Sequence, residues 1–302
     1  MSIRPGGAPL NIANGIREFA VASPDVTAII DGDRSITYRE LYERACRLAN
    51  SLIAANLTPG QPVAILLGNR MEYSEIAAGC AMAGLPIVPI NPRQTAEENA
   101  YILTHSEAKA LIYDQALIGV LPEHLPEIIW AIEGTGIHVN YESVIGQATT
   151  VDPEVYVDER EPFCIAYTSG TTGRPKGVLI SHRSRCLTFY ATALEWRLGP
   201  GRTTIAVAPM YHGAGFAFAY TGIFTGGTLI IQRKFDAEET LDMVAKYKIQ
   251  SMFLVPTHAQ MMRALGDDVV QSKDLSSLDC LYFNAAAPVS YTHLTLPTIL
   301  RV

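Results

Sequence analysis

The chain has 302 residues, of which 48% are hydrophobic and 18% charged, and its formal net charge is −7. This composition is ordinary for a folded α/β protein and excludes a disordered chain. The acidic excess argues against broad nucleic-acid binding, which usually needs a basic surface. The five cysteines form no Cys-x-x-Cys pair, and the amino terminus has no apolar core typical of a secretory signal. We therefore expect reduced thiols and a cytoplasmic location.

Helix and strand patterns alternate along the first part of the chain. A capping box at Thr37–Glu40 opens a helical repeat of leucine and alanine. After it, the predicted elements in chain order are strand 62–67, helix 71–83, strand 85–90, helix 95–105 and strand 109–114. The acidic, proline-containing stretch 151–162 is predicted to be a surface connector. The alternation predicts an α/β fold with mostly parallel sheets and flanking helices.

A long uncharged segment follows, since 203–232 contains no Asp, Glu, Lys or Arg. One interpretation is a membrane span, because the segment is long enough. Its internal pattern favours another interpretation: a strand (TIAVAPM), a loop (YHGAG), a helix (FAFAYTGIF) and a second strand (TLIIQ). Buried strands of parallel sheets are apolar throughout. We therefore predict the interior of an α/β protein and no integral membrane segment.

The stretch YTSGTTGRPKGV, Tyr167–Val178, places glycines and hydroxyls around one lysine. FCIAY before it and GVLIS after it both have strand patterns, so the loop is predicted to join strand to strand. A Walker A loop leads into a helix instead, and its G-x-x-x-x-G-K-[ST] register also fails here. No G-x-G-x-x-G fingerprint occurs in the stretch either. These observations disfavour a P-loop NTPase and a Rossmann site.

The composition of this loop nevertheless suits a polyphosphate. Glycines allow positive φ and close backbone approach, hydroxyls are neutral donors, and lysine is a common phosphate partner. The alternative is a polar surface hairpin with a solvated lysine. The residues predicted to hold phosphate are Thr168, Ser169, Gly170, Thr171, Thr172, Gly173 and Lys176, with Gly177 predicted as a third positive-φ glycine.

Tyr167–Val178 closely resembles the signature loop of the adenylate-forming superfamily of AMP-dependent synthetases and ligases. These include acyl-CoA synthetases, nonribosomal peptide adenylation domains and beetle luciferases. Pro209–His212 (PMYH), Val255–Thr257 and Asn284–Pro288 resemble further motifs of the superfamily, in the expected order. The resemblance implies that 1–287 is an incomplete large N-terminal domain, most like that of an acyl-CoA synthetase, without the C-terminal domain.

The resemblance also implies a chemistry. A carboxylic acid and ATP, with Mg²⁺, would form acyl-AMP, and the acyl group would pass to CoA. The implied catalytic residues are Lys176 and His212, and no protein metal site is implied. His212 and Ala286 would line the acyl pocket, and its wall would be shaped by Gly213, Ala214, Gly215 and Phe216. Taken alone, a histidine in an apolar run is more often a hydrogen-bonded core residue.

Two features bear on the acid. Amino-acid-activating domains place an aspartate near the position of Tyr211 and His212, and none lies nearby in this sequence. An uncharged acyl chain is therefore expected. The aromatic residues that follow at helical spacing are predicted to be core rather than pocket. They are Phe216, Phe218, Tyr220 and Phe224.

The resemblance stops near residue 287. Val289–Thr298, VSYTHLTLPT, can be back-translated to a transposon-end adapter used in sequencing libraries, so 288–302 is predicted to be non-native. The alternative is a natural strand–turn segment. Three hypotheses on function stay open: an acyl-CoA synthetase represented by a catalytically incompetent fragment, an adenylation domain that loads a carrier protein, and a non-catalytic fragment that at most binds nucleotide weakly.

Overall fold

A computed structural model of the chain describes residues 9–168 and 174–283. Ten α-helices and thirteen strands lie in these ranges. The helices are α1 (Asn14–Ala22), α2 (Tyr38–Ala54), α3 (Met71–Ala83), α4 (Ala96–His105), α5 (Tyr141–Gln147), α6 (His182–Trp196), α7 (Gly213–Phe224), α8 (Ala237–Tyr247), α9 (Pro256–Arg263) and α10 (Asp267–Gln271). The strands are β1 (Thr27–Asp31), β2 (Arg34–Thr37), β3 (Val63–Leu66), β4 (Ile87–Pro89), β5 (Ala110–Asp114), β6 (Ile128–Ile132), β7 (Val139–Asn140), β8 (Pro162–Thr168), β9 (Lys176–Ser181), β10 (Thr203–Ala206), β11 (Thr228–Ile231), β12 (Ser251–Leu254) and β13 (Cys280–Phe283).

The chain divides into two compact units, each built around its own sheet. The described part of the first unit is 9–24, 38–68, 72–168 and 174–188. Its seven strands lie in the order β7-β6-β5-β3-β4-β8-β9, parallel except for the antiparallel pair β8/β9. The described part of the second unit is 25–37, 69–71 and 189–283. Its order is β13-β12-β10-β11-β1-β2, parallel except for β1/β2. The predicted fold class is confirmed.

The core of the first unit is formed by apolar side chains of strands and helices together, which is why strand and helix patterns alternate in its sequence. Leu66 and Leu111 on neighbouring parallel strands are buried, and Ile102 of α4 packs with them. Thr95 caps α4: its Oγ1 accepts from the Glu98 amide at 3.3 Å, while Glu98 Oε2 accepts from the Thr95 amide at 2.8 Å. Reciprocal capping of this kind satisfies two backbone donors that a helix end leaves open. The predicted helix 95–105 is thereby confirmed.

The second unit is built in the same way, with an ion cluster at one strand end. Ile205, Ile230 and Met252 on adjacent strands form its buried core with side chains of α8. The Asp31 carboxylate, at the end of β1, is only 1% exposed. It accepts from Arg233 Nε at 2.8 Å and Nη2 at 3.1 Å, and from Arg34 Nη2 at 3.1 Å. Two guanidinium groups compensate the burial of this charge.

The uncharged segment 203–232 folds as β10, α7 and β11. Helix α7 has 12 residues, fewer than a bilayer crossing requires. Throughout 9–168 and 174–283, no helix has the length and hydrophobicity of a membrane span. The predicted order of strand, helix and strand is confirmed. The predicted loop YHGAG is wrong at its end, because the helix already begins at Gly213.

Candidate functional site

Strands β8 and β9 form a hairpin whose ends flank the predicted phosphate loop. Thr168 is paired with Lys176 in the antiparallel register, and both side chains are exposed. Residues 169–173 lie outside the described residues, so Ser169, Gly170, Thr171, Thr172 and Gly173 stay predictions. The strand-to-strand connection, which separates this loop from a Walker A loop, is confirmed. A hydroxyl and an ammonium group thus stand side by side where the strands end.

Gly177 is needed for close packing rather than for a special backbone angle. It lies in β9, and its φ is not in the left-handed region, so the predicted positive φ is wrong. A Cβ at this position would lie 2.9 Å from Ile165 Cγ2 and 3.4 Å from Tyr167 Cζ. Tyr167 is its partner across the hairpin. The glycine lets the aromatic ring lie over the strand next to Lys176.

Helix α4 fixes both stems of the hairpin. The Tyr101 hydroxyl donates to the Pro175 carbonyl at 3.0 Å. One helical turn later, His105 Nδ1 shares a hydrogen bond of 2.7 Å with the Tyr167 hydroxyl. The Arg174 guanidinium lies 5.6 Å from the centroid of the Tyr101 ring, within cation–π distance. Sequence reasoning missed these contacts, because α4 lies far from the hairpin along the chain.

His212 stands at the N-terminus of α7 in the second unit. It occupies the N-cap position with extended backbone, its side chain is exposed, and its ring lies 4.7 Å from that of Tyr211. Its amide donates to the Pro209 carbonyl at 3.1 Å, and its carbonyl accepts from the Phe216 amide at 2.8 Å. Because the side chain is exposed, the alternative of a core histidine is wrong. An imidazole at a helix N-terminus, beside exposed Gly213, suits an anionic group.

Gly215 has a packing role of its own. A Cβ there would lie 2.1 Å from the Pro209 carbonyl oxygen and 2.7 Å from its carbon. The first turn of α7 therefore touches the backbone of the segment that leads to His212. The sequence prediction for Gly215 was a place in the acyl pocket, and that stays a prediction. Ala286, predicted for the same pocket, lies outside the described residues.

The aromatic residues of α7 divide between two surroundings. Phe216, Tyr220 and Phe224 are buried, and their rings lie 6.3, 5.4 and 5.0 Å from that of Phe189. For these three, the predicted core position is confirmed. Phe218 is half-buried and stacks between Trp196, at 3.6 Å, and Phe253, at 3.9 Å.

His182, left without a role by sequence reasoning, is a buried neutral histidine. Only 1% of it is exposed, and its Nδ1 accepts from the Ile12 amide at 3.4 Å. Its ring packs 5.9 Å from that of Phe163. Burial lowers the pKa of His182 from 6.5 to about 4, with a smaller contribution from the positive charge of Arg17. The residue begins α6 directly after β9, so its hydrogen bond with Ile12 ties the base of the hairpin to the segment before α1.

We expect acid to destabilise the fold through His182. Its folded pKa lies below its unfolded pKa, so the contribution to stability is complete above pH 6.5 and decreases as the pH falls to about 4. The free energy of unfolding should fall by about 3 kcal/mol over this window. His182→Asn keeps an acceptor for Ile12 and should flatten this part of the profile in urea titrations. His124 is exposed, so His124→Asn is the control and should keep the wild-type profile. If wild type, His182→Asn and His124→Asn had the same dependence of stability on pH, His182 would not be its source.

The cysteines are thiols in mostly apolar surroundings. None of the five is in a disulfide, and four are buried, the exception being Cys280. Burial raises the pKa of Cys46 to about 11 and of Cys164 and Cys186 to about 12. Such thiols are protonated near neutral pH and are poor nucleophiles. Over the described ranges, no three His, Cys, Asp or Glu side chains are grouped as metal ligands would be.

Comparisons with known proteins agree with the motif and the fold. A model of the family described as AMP-binding enzyme matches residues 16–295. The chain belongs to this family. The resemblance stated from the sequence is thereby confirmed. The match runs beyond residue 287, the predicted end of the native part, and residues 288–302 lie outside the described residues.

Several relatives within the AMP-binding family are named as CoA ligases. Feruloyl-CoA synthase from Amycolatopsis sp is 32% identical over 265 residues, covering 87% of this chain and 52% of the relative. Peroxisomal benzoate–CoA ligase from Arabidopsis thaliana is 29% identical over 271 residues, covering 82% and 47%. The N-terminal domain of FACL13 from Mycobacterium tuberculosis superposes with a TM-score of 0.86 at 25% identity, covering 94% of this chain and 72% of that one. The chain spans about half the length of these curated relatives.

Proposed function

We propose that the protein to which this chain belongs activates a carboxylic acid with ATP and transfers the acyl group to CoA. One observation carries the proposal: in a chain of the AMP-binding family, the β8/β9 hairpin places Thr168 beside Lys176 at the ends of a loop rich in glycine and hydroxyl groups. The names of its relatives support CoA as the acceptor.

The first step makes a leaving group. A carboxylate oxygen attacks the α-phosphorus of ATP, the bond to the oxygen bridging to the β-phosphorus breaks, and that oxygen leaves with its electron pair as part of pyrophosphate. Negative charge grows on the departing phosphates. The Lys176 ammonium, the Thr168 hydroxyl and loop amides would stabilise that charge. Mg²⁺, when bound to the phosphates, would supply further positive charge.

The second step uses the mixed anhydride. The CoA thiol loses its proton to solvent, the resulting thiolate sulfur attacks the acyl carbon, the carbon–oxygen bond to phosphate breaks, and AMP leaves with the electron pair. We assign His212 to the carboxylate of the acid, with Gly213 and Gly215 beside it. The exposed imidazole at the N-terminus of α7 supports this role, because a helix N-terminus favours negative charge.

The acid is proposed to be one without an ammonium group. Adenylation domains for amino acids carry an aspartate near the position of Tyr211 and His212, where this sequence has none. Two relatives are named for feruloyl-CoA and for benzoate, whose acyl groups carry no ammonium. The proposal is therefore limited to carboxylic acids whose acyl or aryl group carries no charge beyond the reacting carboxylate.

Transfer to a carrier protein is a second candidate. It has one specific support, a relative from Streptomyces coeruleorubidus named fatty acid–[acyl-carrier-protein] ligase ScoC, which is 31% identical over 265 residues. The two candidates share the first step and differ in the thiol that accepts the acyl group.

Carboxylate-dependent exchange of labelled pyrophosphate into ATP tests the proposal. The natural full-length protein should catalyse this exchange with at least one uncharged acid and then form a thioester with CoA. We expect the 302-residue chain to show no exchange, because it spans about half the length of its relatives. Absence of exchange by the full-length protein across aliphatic and aromatic acids would contradict the proposal. A thioester only on a carrier protein would favour the second candidate.

A further inference from the structure

Asn69 is a buried polar residue that no motif singled out. It is 7% exposed and belongs to a three-residue segment, 69–71, of the second unit. The two hydrogens of its Nδ2 are shared among three carbonyl oxygens within hydrogen-bond distance, those of Ala206 at 3.3 Å, Ala208 at 3.2 Å and Gln232 at 3.2 Å. Its Oδ1 accepts from the Met210 amide at 2.8 Å. Every polar atom of the side chain therefore contacts backbone.

These contacts lie at the carboxyl ends of two parallel strands. Ala206 ends β10, and Gln232 follows the end of β11. The Gln232 amide itself donates to the Ala206 carbonyl at 3.2 Å. Asn69 thus extends the hydrogen bonding between β10 and β11 past the ends of the two strands. Ligands of α/β proteins bind at this end of the sheet.

The segment that Asn69 holds leads directly to His212. Asn69 contacts the backbone of Ala208 and Met210, on either side of Pro209. The Pro209 carbonyl then accepts from the His212 amide at 3.1 Å. The same carbonyl lies against Gly215. The direction in which the chain enters α7 is thus fixed within a few residues of His212.

Asn69 is itself anchored. At the other end of its short segment, the Met71 amide donates to Asp31 Oδ2 at 3.2 Å, and Asp31 is held by Arg233. The amide can adopt only one orientation, because the three carbonyls require the NH₂ group and Met210 requires the oxygen. Loss of the side chain would take away the acceptor of the buried Met210 amide and the donor to the Ala208 and Gln232 carbonyls, which is costly.

We propose that Asn69 is a positioning residue: it holds 206–210 in the shape that presents His212 to the carboxylate of the acid. This inference rests on the proposed function, since it concerns the same acid site. Asn69 touches no reacting atom in this scheme. It acts through the backbone of the segment before His212.

The first test measures the segment itself. The 302-residue chain, labelled with ¹⁵N-methionine, reports amide exchange at Met210, with Met252 in β12 as an internal reference and Met210→Leu for assignment. Asn69→Ala should speed exchange at Met210 relative to Met252 by about tenfold or more. Asn69→Asp should do the same, because it keeps the acceptor for Met210 but sets a carboxylate oxygen against three carbonyls. Unchanged relative protection of Met210 would overturn the inference.

The second test separates positioning from general stability. Thr228→Val is the matched control, because Thr228 lies at the amino end of β11 in the second unit, and its hydroxyl donates to the Thr27 carbonyl at 2.8 Å. In the natural full-length protein, Asn69→Ala should raise KM for the acid about tenfold and leave KM for ATP within twofold. Thr228→Val should change neither.

The outcomes distinguish the two proposals. A Met210 amide that loosens with no change in KM for the acid would make Asn69 merely structural and overturn the inference. Equal effects of Asn69→Ala and Thr228→Val on KM would also overturn it. A wild-type full-length protein without carboxylate-dependent exchange would contradict the proposed function, and the inference would fall with it. Active wild-type enzyme together with an unaffected Asn69→Ala variant would contradict the role of Asn69 alone.

Discussion

Replacement of Gly215 by alanine is expected to destabilise the second unit strongly. The added Cβ would lie 2.1 Å from the Pro209 carbonyl oxygen and 2.7 Å from its carbon, closer than atoms in contact can lie. The clash is with backbone atoms, which cannot move aside by a rotamer change as a flexible side chain can. Helix α7 must therefore shift away from the segment before His212. The free energy of unfolding should fall by about 3 kcal/mol, at the upper end of overpacking costs. Urea titration of the 302-residue chain measures it.

A matched control is available in the first unit. Gly146 lies in helix α5, and a Cβ there would meet nothing within 4 Å. Gly146→Ala should leave stability unchanged or raise it by up to about 1 kcal/mol, since alanine is the better helix former. If Gly215→Ala were as stable as Gly146→Ala, α7 would not approach Pro209 as closely as the structure shows.

Replacement of Lys176 by alanine is expected to have the largest effect on catalysis. The residue ends the predicted phosphate loop opposite Thr168, and its ammonium would face the charge that grows on pyrophosphate. Loss of one such donor typically lowers the rate about 100-fold. The measurement is kcat/KM for ATP in pyrophosphate exchange by the natural full-length protein. Lys176→Arg keeps the charge but not the compact ammonium, so it should recover only part of the rate.

The control for Lys176 is a lysine of the same unit. Lys109 is exposed and precedes β5, and Lys109→Ala should leave the exchange rate within twofold. The free energy of unfolding of Lys176→Ala should match that of wild type, because the side chain is exposed. Wild-type kinetics of Lys176→Ala would contradict the phosphate assignment.

Local sequence patterns predicted most of the fold. The helix at 71–83 was predicted with the bounds that the structure has, and the strands at 62–67 and 109–114 were predicted to within a residue of β3 and β5. Apolar periodicity, glycine and proline carry this information along the chain. The start of α7 was missed because Gly213 and Gly215 are poor helix formers. The need for Gly215 arises from a contact with Pro209, which a local pattern does not encode.

The candidate site was predictable only where its residues adjoin in sequence. Thr168 and Lys176 belong to one motif, and the hairpin pairs them. Tyr101 and His105 reach the stems of that hairpin from α4, and Asn69 reaches 206–210 from more than a hundred residues away. Such contacts follow from the order of strands in the sheets. Composition and periodicity do not determine that order, so these supporting residues were missed.

The central claim is that the loop closed by Thr168 and Lys176 holds the terminal phosphates of ATP. A crystal structure of the natural full-length protein with a non-hydrolysable ATP analogue tests this claim most directly. We predict that Lys176 Nζ lies within hydrogen-bond distance, about 3 Å, of a β- or γ-phosphate oxygen. An analogue whose phosphates are bound by other residues, with Lys176 in solvent, would contradict the account.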